Sequence, residues 1–465
     1  MKRVFSFLLF FLMSLSAQDF DYYFSDSTAR IDIFQYGDSK FEKIVIDNIY
    51  AYKVWGGPTN NLIDNFNNGK YYVKLYDVPT NKLIYSRGFN TVFSEYQTTD
   101  DAIKGKVGIF SYTINVPLPK DDFVFVIEKR NKLNVCNVIF SIKINVKTDI
   151  RREKRPKNKI VKVLNNGSPH KMVDIVFLAE GYTKDEFKKF EKDVEKFSED
   201  LFSIMPYKKY KKNFNITGVF APSVDNGTDY PLKGSYKNTV LNSTFNFFNL
   251  PRYLLTKDNI SLQNLAHTVP YDVIVILVND KRYGGGGIYN SYAIFTSDNN
   301  QSDRVFLHEF GHCFGGLADE YFSSSVAYND FYPEGIEPTE PNITALLDPD
   351  KLKWKDLIDK DIKIPTDWNK KAYDSLNIEL NELYKDYEKN KDKIKVLRKK
   401  VADFLLKHKL KDKVGAYQGA GYSNKLYRPM ITCLMLNLDE KRFCKVCERA
   451  LERMINYYAD KEYIQ

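Results

Sequence analysis

The sequence predicts a two-part α+β / α/β chain. An N-terminal antiparallel β-sandwich comes first, followed by a layer with a mixed sheet, a central helix and a helical insertion. Three observations carry this. Residues 19–148 hold short alternating or β-branched runs separated by turn residues. Residues 147–159 (KTDIRREKRPKNK) are charged, contain Pro156 and have few apolar side chains, as a linker does. Beyond them, near-continuous apolar runs alternate with patterns of helical period.

Composition bounds the possibilities. With 465 residues, 43% hydrophobic and 28% charged, the chain is an ordinary globular protein in two or three domains, not a disordered, collagenous or coiled-coil one. The net charge of +9 is uneven. Residues 147–162 hold eight basic and two acidic side chains, and residues 351–413 hold nineteen and twelve. One excess lies in the linker run and the other is mixed with acids on a helical pattern. Neither makes the basic stripe of a nucleic-acid protein, so no nucleic-acid partner is expected. Lys2 and Arg3, then a mostly apolar run to Leu15 and small Ser16 and Ala17, read as a signal peptide over residues 1–17. The run is too short for the roughly 20 residues of a membrane span. A secreted, periplasmic or cell-envelope protein with no membrane span is expected.

The β-sandwich is expected over 18–148, with strands near 41–49, 71–76, 82–88, 107–116, 123–129 and 135–146. It carries no catalytic constellation, so a binding or spacer role is its default. A linker at 149–160 leads to the second domain at 161–465. There 173–179 (VDIVFLA) is a buried strand, and Thr183 with Glu186 makes a capping box for a helix over 185–204. Strands follow at 214–220, 273–278 and 291–296. Leucines and tyrosines at three- and four-residue spacing predict a two-helix insertion over 370–413.

The strongest chemical signal is His308-Glu309-Phe310-Gly311-His312. On a helix spanning about 304–314, residues four apart share a face, so His308 and His312 present two imidazoles to one zinc ion. Glu309 stands beside them to take a proton from water. A catalytic zinc needs a third protein ligand. Gly315-Gly316 can stop the helix and turn the chain, bringing back Asp319 or, as the substitute, Glu320. Cys313 points off that face and is read as packing. The pattern resembles the metzincin HExxHxxGxxH, with the third ligand one residue later. That resemblance implies a methionine in a turn beneath the histidines, Met435 or, failing it, Met430. Four consecutive glycines from Gly284 could let an extended peptide approach an edge strand at Gly285 and Gly286. Of the five cysteines, Cys433, Cys444 and Cys447 cluster near the C-terminus. Three thiolates would need a fourth ligand to close a zinc site, and none is apparent nearby. One disulfide from Cys433 to Cys444 or Cys447 is therefore expected.

Several stretches together resemble the IgA-peptidase family of secreted zinc metallopeptidases. They are 173–183 (VDIVFLAEGYT), 226–229 (NGTD), 283–288 (YGGGGI), 308–321 (HEFGHCFGGLADEY), Lys353-Trp354-Lys355, Ile364-Pro365-Thr366, Tyr427-Arg428-Pro429, Cys433-Leu434-Met435 and 443–447 (FCKVC). Their order implies a zinc endopeptidase acting on protein or peptide substrates, with Glu309 as general base and His308, His312 and Asp319 on the metal. Tyr427 and Arg428 are candidate substrate or transition-state contacts. The alternative is a secreted or surface binding protein with a vestigial zinc site. A carbohydrate-active enzyme would want a paired carboxylate cleft, which no pattern singles out.

Overall fold

The computed structural model describes residues 19–322 and 331–459. The expected signal segment, 1–17, lies outside them. Eight strands form the N-terminal part: β1 (Phe24–Gly37), β2 (Glu42–Lys53), β3 (Tyr71–Asp77), β4 (Leu83–Phe89), β5 (Gly108–Pro119), β6 (Phe123–Arg130), β7 (Cys136–Ile144) and β8 (Arg151–Arg152). They make two four-stranded sheets, ordered β5-β1-β2-β8 and β4-β3-β6-β7. Ile31, Ile33 and Ile114 from one sheet meet Tyr71, Leu75 and Phe125 from the other in a shared core. Short helices α1 (Phe20–Tyr23), α2 (Val92–Tyr96) and α3 (Asp100–Ile103) fringe the sheets.

Two features depart from the expectation. The 14-residue β1 breaks the simple alternation because Arg30 and Asp32 lie inside it. They are buried as a fork-to-carboxylate pair at 2.7 and 2.9 Å, which makes the charges tolerable there. The basic run expected as a linker is also tied down. β8 pairs in parallel with β2, and the Arg155 guanidinium donates to the carbonyls of Lys53, Val54, His267 and Val269.

The second part is built on a six-stranded sheet. Its strands are β9 (Lys159–Leu164), β10 (Val173–Glu180), β11 (Phe214–Phe220), β14 (Val273–Val278), β15 (Gly285–Ile288) and β16 (Tyr292–Thr296). A separate two-stranded pair, β12 (Ser243–Thr244) with β13 (Leu255–Thr256), lies beside it. The order is β15-β16-β14-β10-β11-β9: a parallel centre with one antiparallel strand at each edge. Strand alternation sorts β10 between two layers. Ile175 and Phe177 face the helices α4 (Phe187–Leu201), α7 (Ser302–Gly315) and α10 (Lys445–Tyr458), whereas Val176 and Leu178 face α6 (Asn259–Ala266). One-turn α5 (Tyr207–Tyr210) adds Tyr207 to the first of these cores. The Glu186 carboxylate reaches back 2.8 Å to the Thr183 N–H, as the capping box requires.

The segment expected as a two-helix insertion is a helical hairpin, α8 (Lys370–Tyr384) and α9 (Tyr387–Leu406). Trp368, Tyr373 and Leu405 anchor it on Tyr417 of the small hairpin β17 (Tyr417–Ala420) and β18 (Ser423–Arg428). The two parts of the chain are locked together at α10. Arg87 of β4 is buried, lies 4.5 Å over the Tyr457 ring and donates to the Tyr458 hydroxyl at 3.0 Å. The Asn61 amide donates to the Tyr457 carbonyl at 2.9 Å. No helix among the described residues is long and apolar enough to cross a membrane. The expected disulfide is absent. All five cysteines are free, and the Cys433 and Cys447 sulfurs stand 3.8 Å apart because three thiols converge on one carboxylate instead of pairing.

Candidate active site

Helix α7 carries the histidine pair and ends where two glycines follow each other. Gly316 adopts φ 61°, the left-handed conformation that glycine enters at no steric cost, and its N–H caps the carbonyls of Gly311 and His312. The chain therefore reverses under the helix. Asn342 clamps the returning segment: its amide oxygen accepts from Ala318 N–H at 2.8 Å and its amide nitrogen donates to the Ala318 carbonyl at 2.9 Å. Past this clamp, Asp319 points back to α7 and Glu320 points away from it.

Three ligand-type atoms then meet. His308 Nε2 and His312 Nε2 are 3.1 Å apart, and Asp319 Oδ1 lies 3.0 Å from the first and 3.3 Å from the second. The other ring nitrogens settle the orientation. His308 Nδ1 faces the Leu434 carbonyl at 3.1 Å, and His312 Nδ1 faces the Leu317 carbonyl at 2.6 Å. A carbonyl only accepts, so each Nδ1 bears a hydrogen and each Nε2 is the ring atom turned to the shared centre. Two imidazole nitrogens and a carboxylate oxygen thus face one another, and Asp319 Oδ1 is buried with no hydrogen-bond partner among the described residues beyond these ring nitrogens. Such a set calls for a cation. A tetrahedral ion with bonds of about 2.05 Å spaces its ligands by about 3.3 Å, so the three residues fit zinc.

The electrostatics mark the same centre as one that draws positive charge, whether a proton or a metal ion. Burial pulls the His312 imidazolium down, but Asp319 outweighs it and carries the group up to about 9. Burial likewise pushes Asp319 up, yet the two imidazoles hold it well below the usual carboxylate range. The second oxygen of Asp319 accepts from the Tyr422 hydroxyl, which fixes its orientation. Glu309 lies beside the trio at the cleft; burial raises its pKa while both histidines oppose the rise. Cys313 is buried on the other side of the helix, its thiol pushed up to about 12 by burial, as packing predicts.

Met435 is fully buried beneath α7. A Cβ at Gly311 would sit 2.9 Å from its sulfur, so the glycine is what lets the helix rest on it. The same turn supplies the Leu434 carbonyl to His308 and the Met435 carbonyl to Glu320 N–H at 2.9 Å. Met430 is core packing. On the opposite flank, edge strand β15 lies against the helix. A Cβ at Gly287 would meet the Glu309 carbonyl oxygen at 2.3 Å, and one at Gly285 would meet the Glu309 carboxylate at 3.0 Å.

The trio lies in a cleft of about 670 Å³. Three sequence expectations need correction here. Arg428 is fully buried, stacked 4.4 Å over Trp368 and donating to the Gly419 carbonyl at 2.5 Å, so it cannot reach a substrate. Tyr427 pairs its backbone with Thr344 and does not line the cleft. At the glycine run, Gly285 lines the cleft and Gly286 packs against Leu254 and Leu255. Part of that strand edge is taken by the chain itself, since Leu254 N–H donates to the Gly285 carbonyl at 3.3 Å. The cleft walls come instead from Arg252, Tyr283, Tyr321 and Tyr422, from Asn90 and Glu95 of the N-terminal part, and from Arg398 of the helical hairpin. Of these, Tyr283 and Tyr321 lay inside recognisable motifs.

Comparison with known proteins places these residues in context. A family profile described as IgA Peptidase M64 matches residues 161–455, and one described as Peptidase M64 N-terminus matches residues 19–141. No curated protein matches the chain.

Proposed function

Because the chain belongs to the IgA peptidase M64 family, we propose that it is a zinc-dependent endopeptidase that hydrolyses peptide bonds of extracellular proteins. One observation carries this reading: His308, His312 and Asp319 bring three metal-ligand atoms within 3.3 Å of one another in a cleft, with Glu309 beside them. The α7 helix, its glycine stop and Met435 beneath it support a metzincin-like arrangement.

His308, His312 and Asp319 would hold a zinc ion, which when bound would supply the Lewis acidity that polarises the scissile carbonyl and lowers the pKa of water. The chain's own residues do the rest. The Leu434 and Leu317 carbonyls hold the two imidazoles in the tautomer that offers Nε2. Tyr422 orients Asp319. Glu309 takes a proton from the attacking water and returns it to the leaving amine, and burial raises its pKa above the ordinary carboxylate value, the direction that strengthens a base.

The test is incubation with a diverse protein and peptide mixture, with and without chelator, followed by mapping of new termini. New termini that vanish with chelator and return with zinc are expected. A chain that holds zinc and yields no termini in any mixture would move the reading to a binding protein with a vestigial site.

A further inference from the structure

Away from the cleft, Glu320, Cys433, Cys444 and Cys447 bring one carboxylate oxygen and three sulfurs to within 4.8 Å of one another. All four side chains are buried. Glu320 Oε1 is 3.2 Å from Cys447 Sγ and 3.7 Å from Cys444 Sγ, and Cys433 Sγ is 3.8 Å from Cys447 Sγ. A disulfide needs sulfurs about 2.05 Å apart. A tetrahedral zinc ion, with Zn–S near 2.3 Å and Zn–O near 2.0 Å, spaces two sulfurs by about 3.8 Å and a sulfur and an oxygen by about 3.5 Å. The observed separations follow the second pattern.

The competing account is a carboxylate hydrogen-bonded by thiols. S–H is a weak donor, and a buried carboxylate needs strong ones. Only Asn342 gives Glu320 an amide hydrogen bond, at 3.1 Å, and Glu320 Oε2 has no hydrogen-bond partner among the described residues. Arg428, the cation whose charge reaches Glu320, donates its own hydrogens to the carbonyls of Gly419 and Ile431. Backbone N–H groups, meanwhile, point at sulfur. Cys444 N lies 3.1 Å from Cys433 Sγ, and Cys447 N lies 3.4 Å from Cys444 Sγ, contacts that favour thiolates. Cys444 and Cys447 also have the C-x-x-C spacing of a zinc knuckle, at the start of α10.

We infer that Glu320, Cys433, Cys444 and Cys447 form a second, closed zinc site of structural type. All four ligands come from the protein and none faces the cleft, so no position is left for a substrate. The ion would join three segments: the return after α7, the turn that carries Met435, and the first turn of α10. Loading it displaces the thiol protons to solvent. The inference stands apart from the peptidase reading, since none of its ligands belongs to the cleft trio.

The test is elemental analysis of the chain purified under reducing conditions, beside a His308→Ala/His312→Ala double variant that lacks two cleft ligands but none of these four. About two zinc per chain in the wild type and about one in the double variant are expected. The double variant loaded with cobalt should show a near-ultraviolet thiolate-to-cobalt charge-transfer band, and chelator should make Cys433, Cys444 and Cys447 react with a thiol reagent. One zinc in the wild type with none in the double variant, no thiolate band, or a disulfide among the three cysteines by mass mapping would each overturn it.

Discussion

Asp319 and Glu320 are neighbours in the chain, yet they serve two clusters of opposite design. Asp319 joins two imidazoles at the floor of an open cleft, where Glu309 and the surrounding walls leave room for another molecule. Glu320 joins three sulfurs among fully buried side chains that do not line that cleft. The donors differ accordingly: nitrogen and oxygen where ligands must be exchanged, sulfur where they must not. The difference teaches that one clamped turn, held by Asn342, sets both. A displacement of Asn342 would disturb two sites at once, although its side-chain hydrogen bonds go to Ala318 and Glu320.

The sharpest way to separate the clusters is Glu309→Gln. The side chain keeps its size but cannot accept a proton, so turnover of a mapped substrate should fall about 10²-fold or more, with zinc content and thermal unfolding near wild type. Near-equal rates at matched zinc occupancy would remove Glu309 from the chemistry. Next comes a paired comparison. Asp319→Ala should weaken cleft zinc by more than the roughly 10- to 100-fold typical of an outer partner, and should leave thiol reactivity unchanged. Glu320→Ala should do the reverse, exposing the thiols and lowering the melting temperature. Metal titration and thiol labelling of both variants read this directly, and identical behaviour would collapse the two clusters into one unit.

A pH series sharpens the cleft side. In stripped protein the raised His312 partners Asp319 as an ion pair. That stabilisation is fully present below about 6.5, the ordinary histidine value, and is lost as pH rises through about 9. Zinc takes the place of the proton, so the reloaded protein should hold its melting temperature across this window while the stripped protein falls. Parallel curves would mean that the trio does not bind the ion. The smallest effect is expected for Tyr422→Phe, which removes only the hydroxyl that orients Asp319. Zinc affinity should drop about 10-fold with the fold intact, as measured by competition with a chromophoric chelator.

Much of the α/β part was legible because its signals are local. The apolar run from Val173, the Thr183–Glu186 box and the His308–His312 spacing each fit within a few turns or one strand. The rest depended on contacts that no window contains. β1 was unreadable because Arg30 and Asp32 neutralise each other inside it. Arg428 looked available because nothing nearby in sequence announces that Trp368 and the Gly419 carbonyl will enclose it. The fourth partner of the cysteines was invisible for the same reason: Glu320 precedes Cys447 by 127 positions. Asn90, Glu95 and Arg398 reach the cleft from separate elements, and only the packing of those elements brings them together.

The Arg87 contact with α10 has a bearing on engineering. The cation belongs to the first half of the chain, while Tyr457 and Tyr458 that enclose it belong to the last helix of the second. A segment excised near residue 161 for transplantation would lose this rivet, together with the Asn90 and Glu95 side of its groove. A swap that keeps the groove whole must therefore carry both parts together, Arg87 with Tyr457 and Tyr458.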